Sequence, residues 1–373
     1  MNLNKLCLSL LLTLLACSAT AATEPATQAP RVSPVQKPAG AKALDAYIPG
    51  RIQRTSGKDT YQWPGVYFEA AFQGPKVYFE VGRGDVILRV LVDEKPVATL
   101  AKPAPGFYEI ATLANRRHTV RIEALTESQA GPNVFGGFLY STGTQPLTVA
   151  HHARQIEFIG DSHTVGYGNT SPSRDCTEKE VWATTDNSQA FGPKVAAHYD
   201  ADFQINAISG RGIVRNYGGF TADPMPEAYP FTLLDHSARY EDSTWRPQII
   251  VIALGTNDFS TALNPGEKWK TRNELRADFE STYVRFIDSL RARNREAFII
   301  VWATDMAEGE IESEARRVVS QLESAGEKRI AFVPIHGLAM TGCHWHPSVA
   351  DDDLIAAKLI GVIDGNRASW GTP

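Results

Sequence analysis

Hydrophobic and polar positions change period along this chain, and the change divides it in two. From about Ala46 to Thr148 the runs are short and alternate, as in Lys76-Val77-Tyr78-Phe79-Glu80-Val81 and His118-Thr119-Val120-Arg121-Ile122-Glu123-Ala124. A period of two sends one set of side chains to a core and the other outward, so these runs predict half-buried strands. Further strands are expected over residues 65–72 and 86–92. Turn signals separate them: Gln73-Gly74-Pro75, Gly82-Arg83-Gly84-Asp85 and Asp93-Glu94-Lys95-Pro96. Short strands at this spacing, without a helical stripe between them, predict an all-β sandwich over residues 46–150.

From about Arg154 strands and helices alternate. Strands are expected over 155–159, 203–207, 248–254, 297–302 and 329–333. Several are unbroken apolar runs, the texture of strands buried on both faces of a parallel sheet. Leu275, Phe279, Tyr283, Phe286 and Leu290 form a helical stripe that begins after Thr271, with Glu274 placed to complete a capping box. Ile311, Ala315, Val318 and Leu322 form a second stripe. Ile355, Leu359 and Val362 form a third, opened by Ser348 and Asp351. This alternation over residues 151–373 predicts an α/β domain: three α/β/α layers around a parallel five-stranded sheet.

The N-terminus reads as an export signal over residues 1–21. Lys5 precedes an apolar run from Leu6 to Ala16, and Ala19-Thr20-Ala21 offers small residues for cleavage. The run is too short for a bilayer span, so no membrane span is expected. An alternative is a lipoprotein-type signal at Leu14-Leu15-Ala16-Cys17, with Cys17 carrying a lipid anchor. The expected location is therefore secreted or periplasmic, or the outer membrane if Cys17 is lipidated. Residues 22–45, rich in Ala, Pro, Thr and Gln, read as a linker.

Composition adds constraints. At 373 residues the chain can hold two cores, and 43% hydrophobic with 21% charged residues suits a folded soluble protein. The net charge of −5, without a basic stripe, argues against nucleic-acid binding and favours a neutral substrate. Two of the four cysteines, Cys7 and Cys17, fall in the leader. Cys176 and Cys343 would both be exported, where disulfides persist, so a bridge between them is expected. Two buried free thiols remain the other reading.

Four separated segments carry the candidate chemistry: Gly160-Asp161-Ser162-His163, Ser209-Gly210-Arg211-Gly212, Gly255-Thr256-Asn257-Asp258 and His344-Trp345-His346-Pro347. Each follows an expected strand or precedes an expected helix. Together they offer a nucleophile in Ser162, a backbone donor in Gly210, an amide donor in Asn257 and a base in His346. Taken singly, Ser162 reads as a helix cap, Gly210 as a loop glycine, Asn257 as a turn cap and His346 as a structural histidine. In this order, at one edge of a sheet, they read as an acyl-transfer site. His344 and His346 could chelate a metal, but no third ligand stands near enough to complete a recognisable set, so no metal or cofactor is expected. Trp345, Trp182, Tyr167 and Tyr217 could stack on sugar faces, and Trp345, next to the base, is the foremost candidate.

The chain resembles the SGNH (GDSL-type) hydrolases, and within them carbohydrate esterase family two. The stretches that carry the resemblance are residues 159–169, 181–192 and 254–259 and Gly342-Cys343-His344-Trp345-His346-Pro347-Ser348. The resemblance covers roughly residues 46–373 and implies a jelly-roll sandwich before the hydrolase domain. It implies Ser162 as nucleophile, His346 as base, and an oxyanion hole formed by Ser162, Gly210 and Asn257. It also implies removal of acetyl groups from xylan, glucomannan or similar polysaccharides. One departure stands out. The superfamily places an Asp three residues before the catalytic His and this family commonly two before, where this chain has Cys343 and His344. A Ser–His dyad is therefore expected, with a backbone carbonyl orienting the imidazole. A lipase or thioesterase for longer acyl chains, and a binding protein on a decayed hydrolase scaffold, are the competing readings.

Overall fold

The computed structural model describes residues 29–366 and Trp370. The expected signal, Cys17 and the beginning of the expected linker lie outside the described residues.

Two antiparallel sheets, of seven and five strands, form the N-terminal sandwich. The strand Arg117–Ala124 alternates strictly between buried and partly exposed positions after its first residue, and Val120 and Ile122 point into the core with Phe68, Phe72, Phe79, Phe135 and Phe138. The sandwich begins earlier than expected. Arg31–Val35 pairs antiparallel with Gly106–Ala111, and Lys42–Leu44 pairs with Asn133–Tyr140. Part of the stretch expected to be linker is thus sheet. Its Pro-rich composition misled, because an edge strand tolerates Pro34 where a central strand would not.

The strand Tyr67–Gln73 is buried on nearly every residue rather than on alternate ones. Its second face is covered by the hydrolase domain, where the Tyr67 hydroxyl donates to Asp202 (2.7 Å). Arg51 makes the deepest link between the domains. Its guanidinium is buried between the rings of Trp63, Tyr229 and Tyr240, donates to the Tyr229 carbonyl, and faces Glu157 (3.5 Å) on the first hydrolase strand.

The second domain holds five parallel strands in the order Ala201–Ala207, Arg154–Gly160, Ile249–Ala253, Phe298–Thr304 and Ile330–Ile335. Three of the five are buried at every residue, because helices cover both faces. Arg272–Arg293 and Glu310–Ser324 pack on one side, and Phe191–His198 and Val349–Gly365 on the other. Ser348 and Asp351 form a reciprocal capping box. At Thr271 only half the box exists, since Glu274 turns its carboxylate to the Lys270 N–H. The four candidate segments all leave the carboxyl ends of strands, where an open α/β sheet presents its crevice.

Candidate active site

Ser162 is the first residue of a one-turn helix, Ser162–Val165, directly after the first hydrolase strand. The cap is Asp161, whose carboxylate accepts from the His163 N–H (3.1 Å), so the Ser162 hydroxyl is free of capping duty. It meets the His346 Nε2 at 2.8 Å. The other ring nitrogen, Nδ1, lies 2.9 Å from the Cys343 carbonyl and 3.2 Å from that of His344. A carbonyl only accepts, so Nδ1 carries the hydrogen and Nε2 presents its lone pair to the serine. Burial lowers the imidazole to about 4, and the two carbonyls oppose that shift only in part.

The loop that carries those carbonyls is tethered. Cys343 is disulfide-bonded to Cys176, and the Arg174 guanidinium donates to the carbonyls of Met340 and Ala339 (2.7 Å each). Gly168, at φ +58°, packs against Cys343 so closely that an added Cβ would lie 2.4 Å from the Cys343 Cβ. His344 is held by the Tyr167 hydroxyl and the Cys176 carbonyl. All the ring nitrogens of His344 and His346 therefore face protein groups. Among the described residues no cluster of three His, Cys, Asp or Glu is placed to hold a metal.

Gly210 adopts φ +82°, a conformation costly for any other residue, and its N–H is donated to no protein group among the described residues. The loop that follows is fixed by Asp258, which accepts from the N–H groups of Ile213, Val214 and Arg215 (2.9 Å each). Asn257 lies beside Gly210, but its amide is not idle: Nδ2 donates to Asp161 (3.1 Å) and to the Arg211 carbonyl (2.9 Å). The sequence suggested an available amide donor, whereas here both hydrogens are engaged. Holding an oxyanion there requires one of them to be shared.

These groups line one cavity of about 560 Å³ with Trp345 at its mouth. Trp345 is 61% exposed, Tyr217 56% and Phe220 43%, so three large aromatic rings meet solvent around a single opening. One face of the Trp345 ring is covered by the Arg174 guanidinium, 3.9 Å from its centre. Trp182 lies away from the cavity, with Lys102 of the sandwich above its ring. Sequence reasoning missed the sandwich's own contribution. Gln129 and Glu127 reach the backbone of Ser209, beside Gly210. They sit in an ordinary polar loop, and no local pattern marks them.

Residues 48–149 match the family model "Carbohydrate esterase 2 N-terminal", and residues 158–355 match "GDSL-like Lipase/Acylhydrolase family". An acetylxylan esterase / glucomannan deacetylase of Cellvibrio japonicus (strain Ueda107) is 44% identical over 335 residues, which cover 88% of this chain and 93% of that protein. The chain belongs to carbohydrate esterase family two. Within the family, one solved esterase, whose active site is described as displaying divergent catalytic and non-catalytic binding functions, superposes with TM-score 0.84 at 43% identity, covering 88% of this chain and all of that one. A family two carbohydrate esterase from Clostridium thermocellum, solved in complex with cellohexaose, gives TM-score 0.76 at 27% identity, covering 89% of this chain and 100% of that one.

Proposed function

We propose that this protein is an exported esterase that removes O-acetyl groups from plant-wall polysaccharides such as xylan or glucomannan, with Ser162 and His346 as its catalytic dyad. The observation that carries the reading is the 2.8 Å contact between the Ser162 hydroxyl and the unprotonated nitrogen of His346, at a cavity ringed by exposed aromatics. The substrate class is supported by the activity named for the Cellvibrio relative and by those rings, which suit stacking against sugar faces. Export is supported by the leader-like N-terminus and by the disulfide.

Ser162 attacks the acetyl carbonyl as His346 Nε2 takes its proton. The N–H groups of Gly210 and Ser162, with a shared hydrogen of Asn257, hold the oxyanion. Collapse of the tetrahedral intermediate returns the proton from His346 to the departing sugar oxygen and leaves acetyl-Ser162. Water, activated by the same imidazole, then releases acetate. The Nδ1–H keeps its bond to the Cys343 carbonyl throughout, so the tautomer is set without a carboxylate.

Acetate release from acetylated xylan and from an aryl acetate tests the proposal. Ser162→Ala is expected to abolish both, and wild-type turnover by that variant would refute the dyad. Aryl esters of increasing chain length separate this reading from a lipase-type one. Rates falling steeply after acetate support the acetyl esterase, and rates rising with length oppose it.

A further inference from the structure

The β-sandwich reaches into the hydrolase site through two side chains. Gln129 Nε2 donates to the Ser209 carbonyl (3.0 Å), and the Ser209 N–H donates to Glu127 Oε1 (2.7 Å). Gln129 also donates to Glu127 (3.1 Å), so the two grip the backbone of Ser209 at both ends. We propose that Glu127 and Gln129 are positioning residues for the oxyanion hole, aiming the Gly210 N–H from the neighbouring domain. The inference rests on the assignment of Gly210 as an oxyanion donor.

The physical argument begins with the peptide plane. The Ser209 carbonyl and the Gly210 N–H belong to one rigid trans peptide, so fixing the oxygen fixes the direction of the N–H on its opposite side. A hydrogen bond at that oxygen also polarises the peptide and strengthens its N–H as a donor. External support matters here because Gly210, lacking a side chain, is soft in φ and ψ. The following carbonyls are held from within the hydrolase domain: that of Gly210 by the Tyr217 N–H (2.9 Å) and that of Arg211 by Asn257 (2.9 Å). The Ser209 carbonyl has Gln129 of the sandwich as its partner.

The sandwich loop is itself anchored well enough to serve as a support. Asn133 donates to the Ser128 hydroxyl (2.7 Å), Gln62 to the Ser128 carbonyl (3.1 Å), and the Ile87 N–H to the Thr126 hydroxyl (3.0 Å). On the other side the Asn187 N–H donates to the Leu125 carbonyl (2.9 Å), which ties the loop to the hydrolase domain at a second point. The hydrolase fold alone thus supplies the donor, while the sandwich sets its direction.

The test uses the full chain with Gln129→Ala, Glu127→Ala and Glu127→Gln, measuring kcat and KM on an aryl acetate and inhibition by a boronic acid. The tetrahedral boronate on Ser162 places an oxygen in the oxyanion hole. Gln129→Ala and Glu127→Ala are expected to lower kcat roughly 10-fold to 10²-fold, as small misplacements at a reacting centre do. KM and Tm should stay near wild type, and boronate affinity should weaken in step with kcat/KM. Glu127→Gln retains an acceptor for the Ser209 N–H and should restore most of the rate. Unchanged kcat in both alanine variants would overturn the proposal, and so would a loss that follows Tm while boronate affinity holds. Either result leaves the dyad standing as long as Ser162→Ala is inactive, whereas full activity in Ser162→Ala strikes the functional reading itself.

Discussion

In the proposed mechanism His346 acts as base without a carboxylate partner, and the pH dependence of the rate should report that directly. Burial lowers the imidazole from 6.5 to about 4, and the neutral carbonyls of Cys343 and His344 at Nδ1 offset that shift only in part. A general base must be neutral, so activity is expected to persist from neutrality down to about pH 5 and to fall only as the pH drops through about 4. Restoring charge should reverse the shift. Position 344 is two before the base, where the family's acid commonly stands, and its backbone lies at φ 51°, a conformation Asp and Asn tolerate better than most residues. A carboxylate beside an imidazolium raises its pKa by roughly 1–3 units, each worth about 1.4 kcal/mol. In His344→Asp the acid limb of kcat/KM should move up by that amount, and kcat at pH 7 should rise roughly tenfold as the imidazolium formed in the transition state gains a partner. His344→Asn is the control for shape, because it loses the same contacts to Tyr167 and the Cys176 carbonyl but adds no charge. The assay is the initial rate on an aryl acetate between pH 3.5 and 8. A wild-type limb at the ordinary histidine value, or equal shifts in the Asp and Asn variants, would show that the carbonyl-only environment does not govern the base.

Replacing Cys176 and Cys343 together by Ser should lower stability by about 2–5 kcal/mol, because the bridge closes a loop spanning 167 positions. Thermal melting and kcat should fall together, since Cys343 also supplies the carbonyl that orients His346; unchanged kcat would separate the bond from the base. Asn257→Ala is expected to cost roughly 10²–10³ in kcat with little change in KM. A loss in KM alone would mean that its amide serves only Asp161 and the Arg211 carbonyl. Trp345→Ala should weaken binding of a polysaccharide substrate by about 1 kcal/mol while leaving turnover of a small aryl acetate nearly unchanged. Equal losses on both substrates would argue against a stacking role.

Local patterns reach far in this chain because its chemistry sits where chain geometry changes. An unbroken apolar run marks a strand covered on both faces, as in Ile249–Ala253, and the Gly-containing polar segments after three of the runs mark the sheet's carboxyl edge. That was enough to bring Ser162, Gly210, Asn257 and His346 to one rim from sequence alone. Capping was only half legible: Ser348 and Asp351 close a full box, while Glu274 finds a different N–H. The early strands Arg31–Val35 and Lys42–Leu44 escaped, since each is held by a partner more than 70 positions away rather than by its own periodicity.

What sequence determined is therefore the alternation of elements and the side chains that chemistry requires, because hydrophobic period and residue type are local properties. Tertiary structure alone decided how those groups are aimed. The turn whose Cys343 carbonyl faces His346 is tied to the rest of the domain through Cys176, both hydrogens of Asn257 are engaged before any substrate arrives, and the peptide preceding Gly210 is held by Gln129 of another domain. Each of these is a hydrogen bond or covalent link between positions 46 to 167 apart in sequence. Such partners share no periodicity, and only the packing of one domain on the other brings their atoms within reach.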